Sequence, residues 1–273
     1  MSILLISKLR IWDGSTGKVI IPAISFELNS GSCLAIVGES GSGKSLTCRA
    51  ILRLNQRNIR QSGEIVFQGE RIDRLAENEM RRRRGKQLYM IPQNGMRAFD
   101  PTSVIGVHLR DTLVHHFGWN RSEIVEKMKL AMQSVRLKDP VGIMNKYPHQ
   151  MSGGMLQRVM ISLAIVLEPD IIIADEPTSA LDTVSKYEVI EQFCRLREKM
   201  GCSMIFVSHD LGVVRKIADE IVVMRDGNIV ERGEASVLFA KPQHEYTRHL
   251  VASHAGIHEH FNRVIGGPAY VSR

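Results

Sequence analysis

The sequence lacks a long hydrophobic run. Its 273 residues have a mean hydropathy of -0.08, and no apolar stretch approaches the ~20 residues that a helix needs to cross a bilayer. The N-terminal stretch "MSILLISKLR" is apolar for only a few positions and has no small-residue cleavage site, so we expect no secretory signal. The length suits one large domain, or a core with a satellite subdomain.

Cysteines are also few, and they are scattered. None belongs to a CxxC pair, and none forms a zinc-like cluster with histidine. This spacing is typical of reduced, mostly buried thiols in a cytosolic protein. The four cysteines are Cys33, Cys48, Cys194 and Cys202.

Positive charge, by contrast, is in excess. The net charge of +7 and the pI of about 9.4 permit nucleic acid, an anionic membrane surface or a phosphorylated ligand as a partner. Aromatic residues make up only 5% of the chain, and no aromatic platform accompanies the basic run Arg81–Arg84. We therefore interpret that run as a solvated helix face or an anionic-lipid contact, and we predict no nucleic-acid partner.

The hydrophobic pattern predicts an α/β fold. The runs "DIIIADEP" and "CSMIFVSHD" are continuously apolar, as in parallel strands covered on both faces by helices, and "EIVVMRDGNIVERG" predicts a hairpin that turns at Asp-Gly. From about Asp100 to Ile165 the pattern is helical, and "RSEIVEKMKLAMQSV" is amphipathic with Ser122 as the expected N-cap. The segment from about Lys241 onward is expected to be peripheral.

A glycine-rich loop between a strand and a helix matches GxxxxGK[ST] without a mismatch. Its glycines let backbone N–H groups converge on phosphate oxygens at a helix N-terminus. The lysine reaches the β- and γ-phosphates, and the last serine hydroxyl ligates Mg²⁺. The predicted phosphate-binding residues are Gly38, Glu39, Ser40, Gly41, Ser42, Gly43, Lys44 and Ser45.

Polar residues follow three other apolar strands, at the edge where α/β sheets bind ligands. Asp175 is predicted to hold Mg²⁺ and Glu176 to act as general base, the alternative being an exposed acidic turn. His209 ends another strand, and we favour a γ-phosphate contact over a structural role. Gln93 follows "LYMIP" and is predicted to place its side-chain oxygen on the metal or the lytic water.

Paired glycines behind a serine open a helical run in "MSGGMLQR". Ser152, Gly153 and Gly154 either let an anion approach the backbone closely or form an ordinary N-cap with a flexible turn. The stretch alone leaves both readings open.

Together these motifs resemble the ATP-binding subunit of an ABC transporter over residues 1–250. The motifs follow one another in the order of that family. Walker A is at Gly38–Ser45, the Q-loop at Gln93 and the signature at Ser152–Gly154. Walker B ends at Asp175, with Glu176 directly after it, and two further motifs follow. These are the D-loop Ser179-Ala180-Leu181-Asp182 and the switch histidine His209.

The resemblance implies a P-loop NTPase core of the ABC type that binds ATP and Mg²⁺. It implies an antiparallel β subdomain, a helical subdomain inserted over about residues 95–160, and a short tail over residues 251–273. The signature residues would face ATP bound to the P-loop of an opposite subunit. Trp12 is the expected adenine-stacking residue.

Within the family, "GESGSGKSLTC", "AFDP", Met155 in place of the usual glutamine, and the short tail resemble the nickel and metal-chelate branch of the oligopeptide, dipeptide and nickel importers. This resemblance implies a second, different ATPase chain, two membrane permeases and, indirectly, an extracytoplasmic solute-binding protein. The chain would then lie at the cytoplasmic face of the inner membrane. Peptide import and a soluble ABC-type ATPase are the alternatives. The histidines His254, His258 and His260 are expected to be solvated, although their spacing also suits a metal.

Overall fold

The computed structural model describes residues 1–179 and 181–253. Its strands are β1 Ser2–Asp13, β2 Val19–Asn29, β3 Cys33–Val37, β4 Ile59–Phe67, β5 Glu70–Arg71, β6 Leu88–Ile91, β7 Ile171–Asp175, β8 Ser203–Val207, β9 Glu220–Arg225 and β10 Asn228–Glu234. Its α-helices are α1 Lys44–Ile51, α2 Glu77–Arg83, α3 Ile105–Phe117, α4 Arg121–Ser134, α5 Pro140–Met144, α6 Gly153–Leu167, α7 Thr183–Met200, α8 Leu211–Ile217 and α9 Ala235–Ala240. A further helix covers residues 245–253.

The strands form two sheets, which confirms the predicted α/β core with an antiparallel subdomain. The antiparallel sheet has the order β2-β1-β4-β5, and the larger sheet has the order β10-β9-β3-β8-β7-β6. The larger sheet is parallel from β9 to β6, and only the hairpin strand β10 runs the other way. Every residue of β3, β7 and β8 is buried, as expected for strands covered on both faces.

Strand β1 was not predicted, although it is central in the antiparallel sheet. Leu4 and Ile6 are buried on its inner face, and so are Leu9 and Ile11. The two pairs are out of phase by one residue because the pairing register shifts between them, where Lys8 has a φ of 50°. The shift moves the alternation of inward- and outward-facing side chains by one residue. The sequence of this strand therefore shows no continuous β pattern.

Helices α3 to α6 form the predicted helical region and share one apolar core with the larger sheet. The N-cap predicted for α4 was wrong. Asn120, not Ser122, is the cap, because its side chain accepts from the backbone N–H groups of Ser122 and Glu123. Glu123 Oε2 in turn accepts from the Asn120 N–H at 2.8 Å, which completes a capping box.

The segment from Lys241 onward is not peripheral in the part that is described. The helix over residues 245–253 continues across the boundary predicted at residue 250. Tyr246 is 6% exposed, Thr247 is fully buried, and Tyr246 packs in an apolar cluster with residues of β3 and β9. One face of this helix therefore packs on the folded core.

Two expectations from composition are also tested by the described residues. In residues 1–179 and 181–253 no helix is both long enough and apolar enough to cross a bilayer. All four cysteines are free; three are buried, and Cys194 is half-buried.

Candidate nucleotide site

The glycine-rich loop joins β3 to α1 and closes around the Lys44 ammonium. Lys44 Nζ donates to the carbonyls of Gly38 and Glu39, each at 2.8 Å, and the residue is only 5% exposed. Burial holds the pKa of Lys44 below its usual value, although Glu176 and Asp175 oppose the shift. The loop thus presents a desolvated cation where phosphate oxygens would bind.

Glycine is required at the start of this loop. Gly38 has a φ of 148°, and a Cβ there would lie 2.1 Å from the Met224 carbonyl oxygen at the end of β9. Within the loop, the Ser42 carbonyl accepts a hydrogen bond from the Gly227 N–H at 3.2 Å. The β9–β10 hairpin therefore supports one side of the loop.

Ser45 and Asp175 meet across the site. The Ser45 hydroxyl donates to Asp175 Oδ1 at 2.7 Å, and Asp175 is 1% exposed. Burial raises the pKa of Asp175 despite the hydrogen bond from Ser45. Asp175 Oδ2 is buried and has no hydrogen-bond partner among the described residues. A hydroxyl beside a carboxylate with a free buried oxygen is a donor set that fits Mg²⁺.

Glu176 lies at the centre of a polar cluster. Gln93 Nε2 donates to Glu176 Oε2 at 2.9 Å, and His209 Nδ1 lies 3.4 Å from the same oxygen. Glu176 has a φ of 46°, an unfavourable backbone conformation for a residue with a side chain. The structure thus brings together three residues that were predicted from three separate strand ends.

Most of these groups, though not Asp175 or Ser42, line one cavity of about 750 Å³. Its wall includes the glycine-rich loop together with Gln93, Glu176 and His209. The cavity also has contributors that sequence reasoning missed, because no motif marks them: Ile20, Leu46, Arg49 and Leu250.

Trp12, the expected adenine-stacking residue, is not among the residues that line this cavity. It pairs with Val19 in the antiparallel sheet, and the Arg10 guanidinium lies 5.6 Å from the centre of its ring. The adenine contact of Trp12 stays a prediction.

The signature residues lie elsewhere on the surface. Ser152 is the N-cap of α6, where its hydroxyl accepts from the Met155 N–H at 3.3 Å. Ser152 and Gly153 are exposed, and neither lines the cavity of this chain. The cap therefore exists, and it leaves an exposed helix N-terminus that another molecule can approach.

The remaining sequence features have separate outcomes. In the basic run, Arg83 forms an ion pair with Glu70 and Arg84 one with Glu77, while Arg81 and Arg82 are exposed. Ala180 of the D-loop and the histidines His254, His258 and His260 lie outside the described residues.

Comparison with known proteins identifies the family. The sequence profile described as ABC transporter matches residues 21–179, more than half of the chain. The chain is 41% identical over 270 residues to the metal-staphylopine import system ATP-binding protein CntD of Staphylococcus aureus, covering 99% of this chain and 100% of that protein. It is 39% identical over 247 residues to the dipeptide transport ATP-binding protein DppD of Lactococcus lactis, covering 90% of this chain and 71% of that protein.

A solved structure shares the fold. The ATP-binding cassette MJ0796, a dimer in a post-hydrolysis state with bound ADP and phosphate, superposes with a TM-score of 0.75. It is 23% identical, and the match covers 85% of this chain and 98% of that one. On the family profile and on the relatives that match most of its length, the chain belongs to the ABC transporter family, among its ATP-binding proteins.

Proposed function

We propose that this chain is the ATP-hydrolysing subunit of a bacterial ABC importer for nickel or a metal–metallophore complex. The observation that carries the ATPase part is the convergence of Lys44, Gln93, Glu176 and His209 on one cavity beside a complete phosphate-binding loop. The similarity to the metal-staphylopine ATP-binding protein supports the cargo.

The residues of the cavity have separate roles in phosphoryl transfer, a reaction in which positioning and charge stabilisation dominate catalysis. The loop N–H groups and Lys44 hold the β- and γ-phosphates. Glu176 accepts the proton of the attacking water, and its hydrogen bond from Gln93 fixes the orientation of the carboxylate. His209, beside the same carboxylate, contacts the γ-phosphate.

Ser45, Asp175 and Gln93 are the residues that would hold Mg²⁺. When bound, the ion neutralises charge on the β- and γ-phosphate oxygens. The unpartnered Oδ2 of Asp175 supports this assignment because a buried carboxylate oxygen without a donor is costly.

Two nucleotides would be sandwiched between two ATPase chains. The exposed signature of this chain would serve the nucleotide of a different partner chain, giving a heterodimer. That pair would bind two membrane permeases, which receive cargo from an extracytoplasmic solute-binding protein, and it would lie at the cytoplasmic face of the inner membrane. We expect no nucleic acid among the binding partners of this assembly.

The signature is tested by Gly153→Asp. We expect this variant to bind ATP normally as a separate chain but to lose ATPase activity in the assembled complex, because its carboxylate would repel the γ-phosphate in a desolvated site. An acidic residue in the first turn of α6 favours the helix, so misfolding is not the expected cause.

Met155→Gln is the matched control for Gly153→Asp. Met155 lies beside the same turn and is only partly buried, so a glutamine of similar length can keep its amide in solvent, and we expect the complex to tolerate it. Full activity of Gly153→Asp in the complex would mean that the signature faces no nucleotide.

The cargo is tested by uptake into cells that carry the importer. We expect ATP-dependent accumulation of labelled nickel, supplied alone or with a metallophore such as staphylopine, and no accumulation with the Lys44→Ala complex. The chain is 39% identical to a dipeptide transport ATP-binding protein, against 41% for the metal-staphylopine protein. This identity supports peptide import as the second candidate. Uptake of a labelled dipeptide without metal uptake would select it.

A further inference from the structure

The helix over residues 245–253 touches the phosphate-binding loop directly. The hydroxyl of Tyr246 accepts a hydrogen bond from the backbone N–H of Glu39 at 3.0 Å. Glu39 is the second residue of the loop, next to Gly38, whose carbonyl accepts from Lys44. One turn further along the same helix, Leu250 lines the cavity.

Tyr246 is held firmly in place. The Glu231 carboxylate on β10 accepts from the N–H groups of Gln243 and His244 at 2.8 and 3.0 Å, and His244 Nδ1 accepts from the Tyr246 N–H at 3.1 Å. The Arg225 guanidinium lies 4.9 Å from the centre of the Tyr246 ring. The helix start is thus fixed to the same hairpin that supports the other side of the loop.

A tyrosine suits this position electrostatically. Burial raises the pKa of Tyr246, so the hydroxyl is protonated at neutral pH and places no negative charge beside the phosphate site. A neutral hydroxyl satisfies the Glu39 N–H without competing for Lys44.

We infer that Tyr246 is a positioning residue for ATP binding, holding the first turn of the phosphate-binding loop between the β9–β10 hairpin and the helix over residues 245–253. This inference rests on the proposed role of that loop as the phosphate site. It makes ATP affinity depend on a segment that carries none of the family motifs.

The test is Tyr246→Phe in the full chain and in the assembled complex. The variant keeps the ring under Arg225 and removes only the hydroxyl. We expect the KM for ATP to rise about 3- to 10-fold, the size of one neutral hydrogen bond, with kcat within about twofold of the parent. The rise in melting temperature that ATP gives to the separate chain should shrink in parallel.

Tyr89→Phe is the matched control. Tyr89 is also buried, and its hydroxyl donates to the Met160 carbonyl at 3.0 Å, away from the cavity. We expect this variant to lower the melting temperature without changing the KM for ATP or the ATP-induced shift.

The outcomes separate the inference from the function on which it rests. An unchanged KM and ATP-induced shift in Tyr246→Phe, or equal changes in both tyrosine variants, would overturn the positioning role. If Lys44→Ala still binds ATP, the proposed phosphate site itself fails. If only Lys44→Ala loses ATP, the site stands and the role of Tyr246 falls.

Discussion

Replacing Lys44 with alanine is expected to abolish productive ATP binding. Lys44 is the buried cation of the loop, and its ammonium already lies 2.8 Å from two loop carbonyls at the proposed phosphate site. Without the ammonium, no positive charge from this residue would offset the cost of removing the negative phosphate oxygens from water. Equilibrium binding of labelled ATP to the purified chain measures the loss.

Two further variants separate charge from folding. Lys44→Met keeps most of the aliphatic stem and should fail like Lys44→Ala, because the ammonium and not the packing is responsible. Lys129→Ala changes an exposed lysine on α4 and should bind ATP like the parent. Near-normal ATP affinity and turnover in the two Lys44 variants would show that the loop is not the phosphate-binding site.

Glu176→Gln is expected to bind ATP and to lose hydrolysis. The amide keeps an oxygen that can accept from Gln93, so the cluster should persist, but it is not a base. Removing one positioned base typically lowers the rate ~10²–10⁴-fold. Steady-state phosphate release by the complex should fall by that factor, and ATP should remain trapped in the closed pair.

Glu191→Gln serves as the control for this variant. Glu191 lies on α7, is partly exposed and pairs with Arg195 at 3.7 Å, outside the residues that line the cavity. Its complex should hydrolyse ATP at the parental rate. Turnover of Glu176→Gln at the same rate would place the base on another residue.

The residues that meet at the candidate site were largely predictable because phosphate chemistry demands fixed residue types at fixed spacings. A loop of the form GxxxxGK[ST] between a strand and a helix, and carboxylates behind an apolar strand, identify themselves locally. Gln93, Glu176 and His209 each follow a parallel strand, and the parallel sheet then brings those strand ends to one edge.

Features that depend on long-range contacts were not predictable. The hydrogen bond between Glu39 and Tyr246 joins residues 207 positions apart, and nothing local to "KPQHEYTRHL" indicates that its tyrosine reaches a phosphate loop. Strand β1 was missed because a register shift at Lys8 interrupts its alternation. The cap at Asn120 was missed because Asn120 and Ser122 are both good caps, and the backbone chooses between them.

The dependence of transport on ATP hydrolysis by this chain can be measured as uptake into vesicles that hold the reconstituted importer, with ATP on the side of this chain. The measurement is the initial rate of labelled nickel uptake, supplied alone and with staphylopine, for complexes that carry the parent chain or Glu176→Gln. We expect uptake with the parent chain and, with Glu176→Gln, bound ATP but no sustained uptake. Uptake at the parental rate by the Glu176→Gln complex would contradict this expectation, because transport would then not depend on hydrolysis in this cavity.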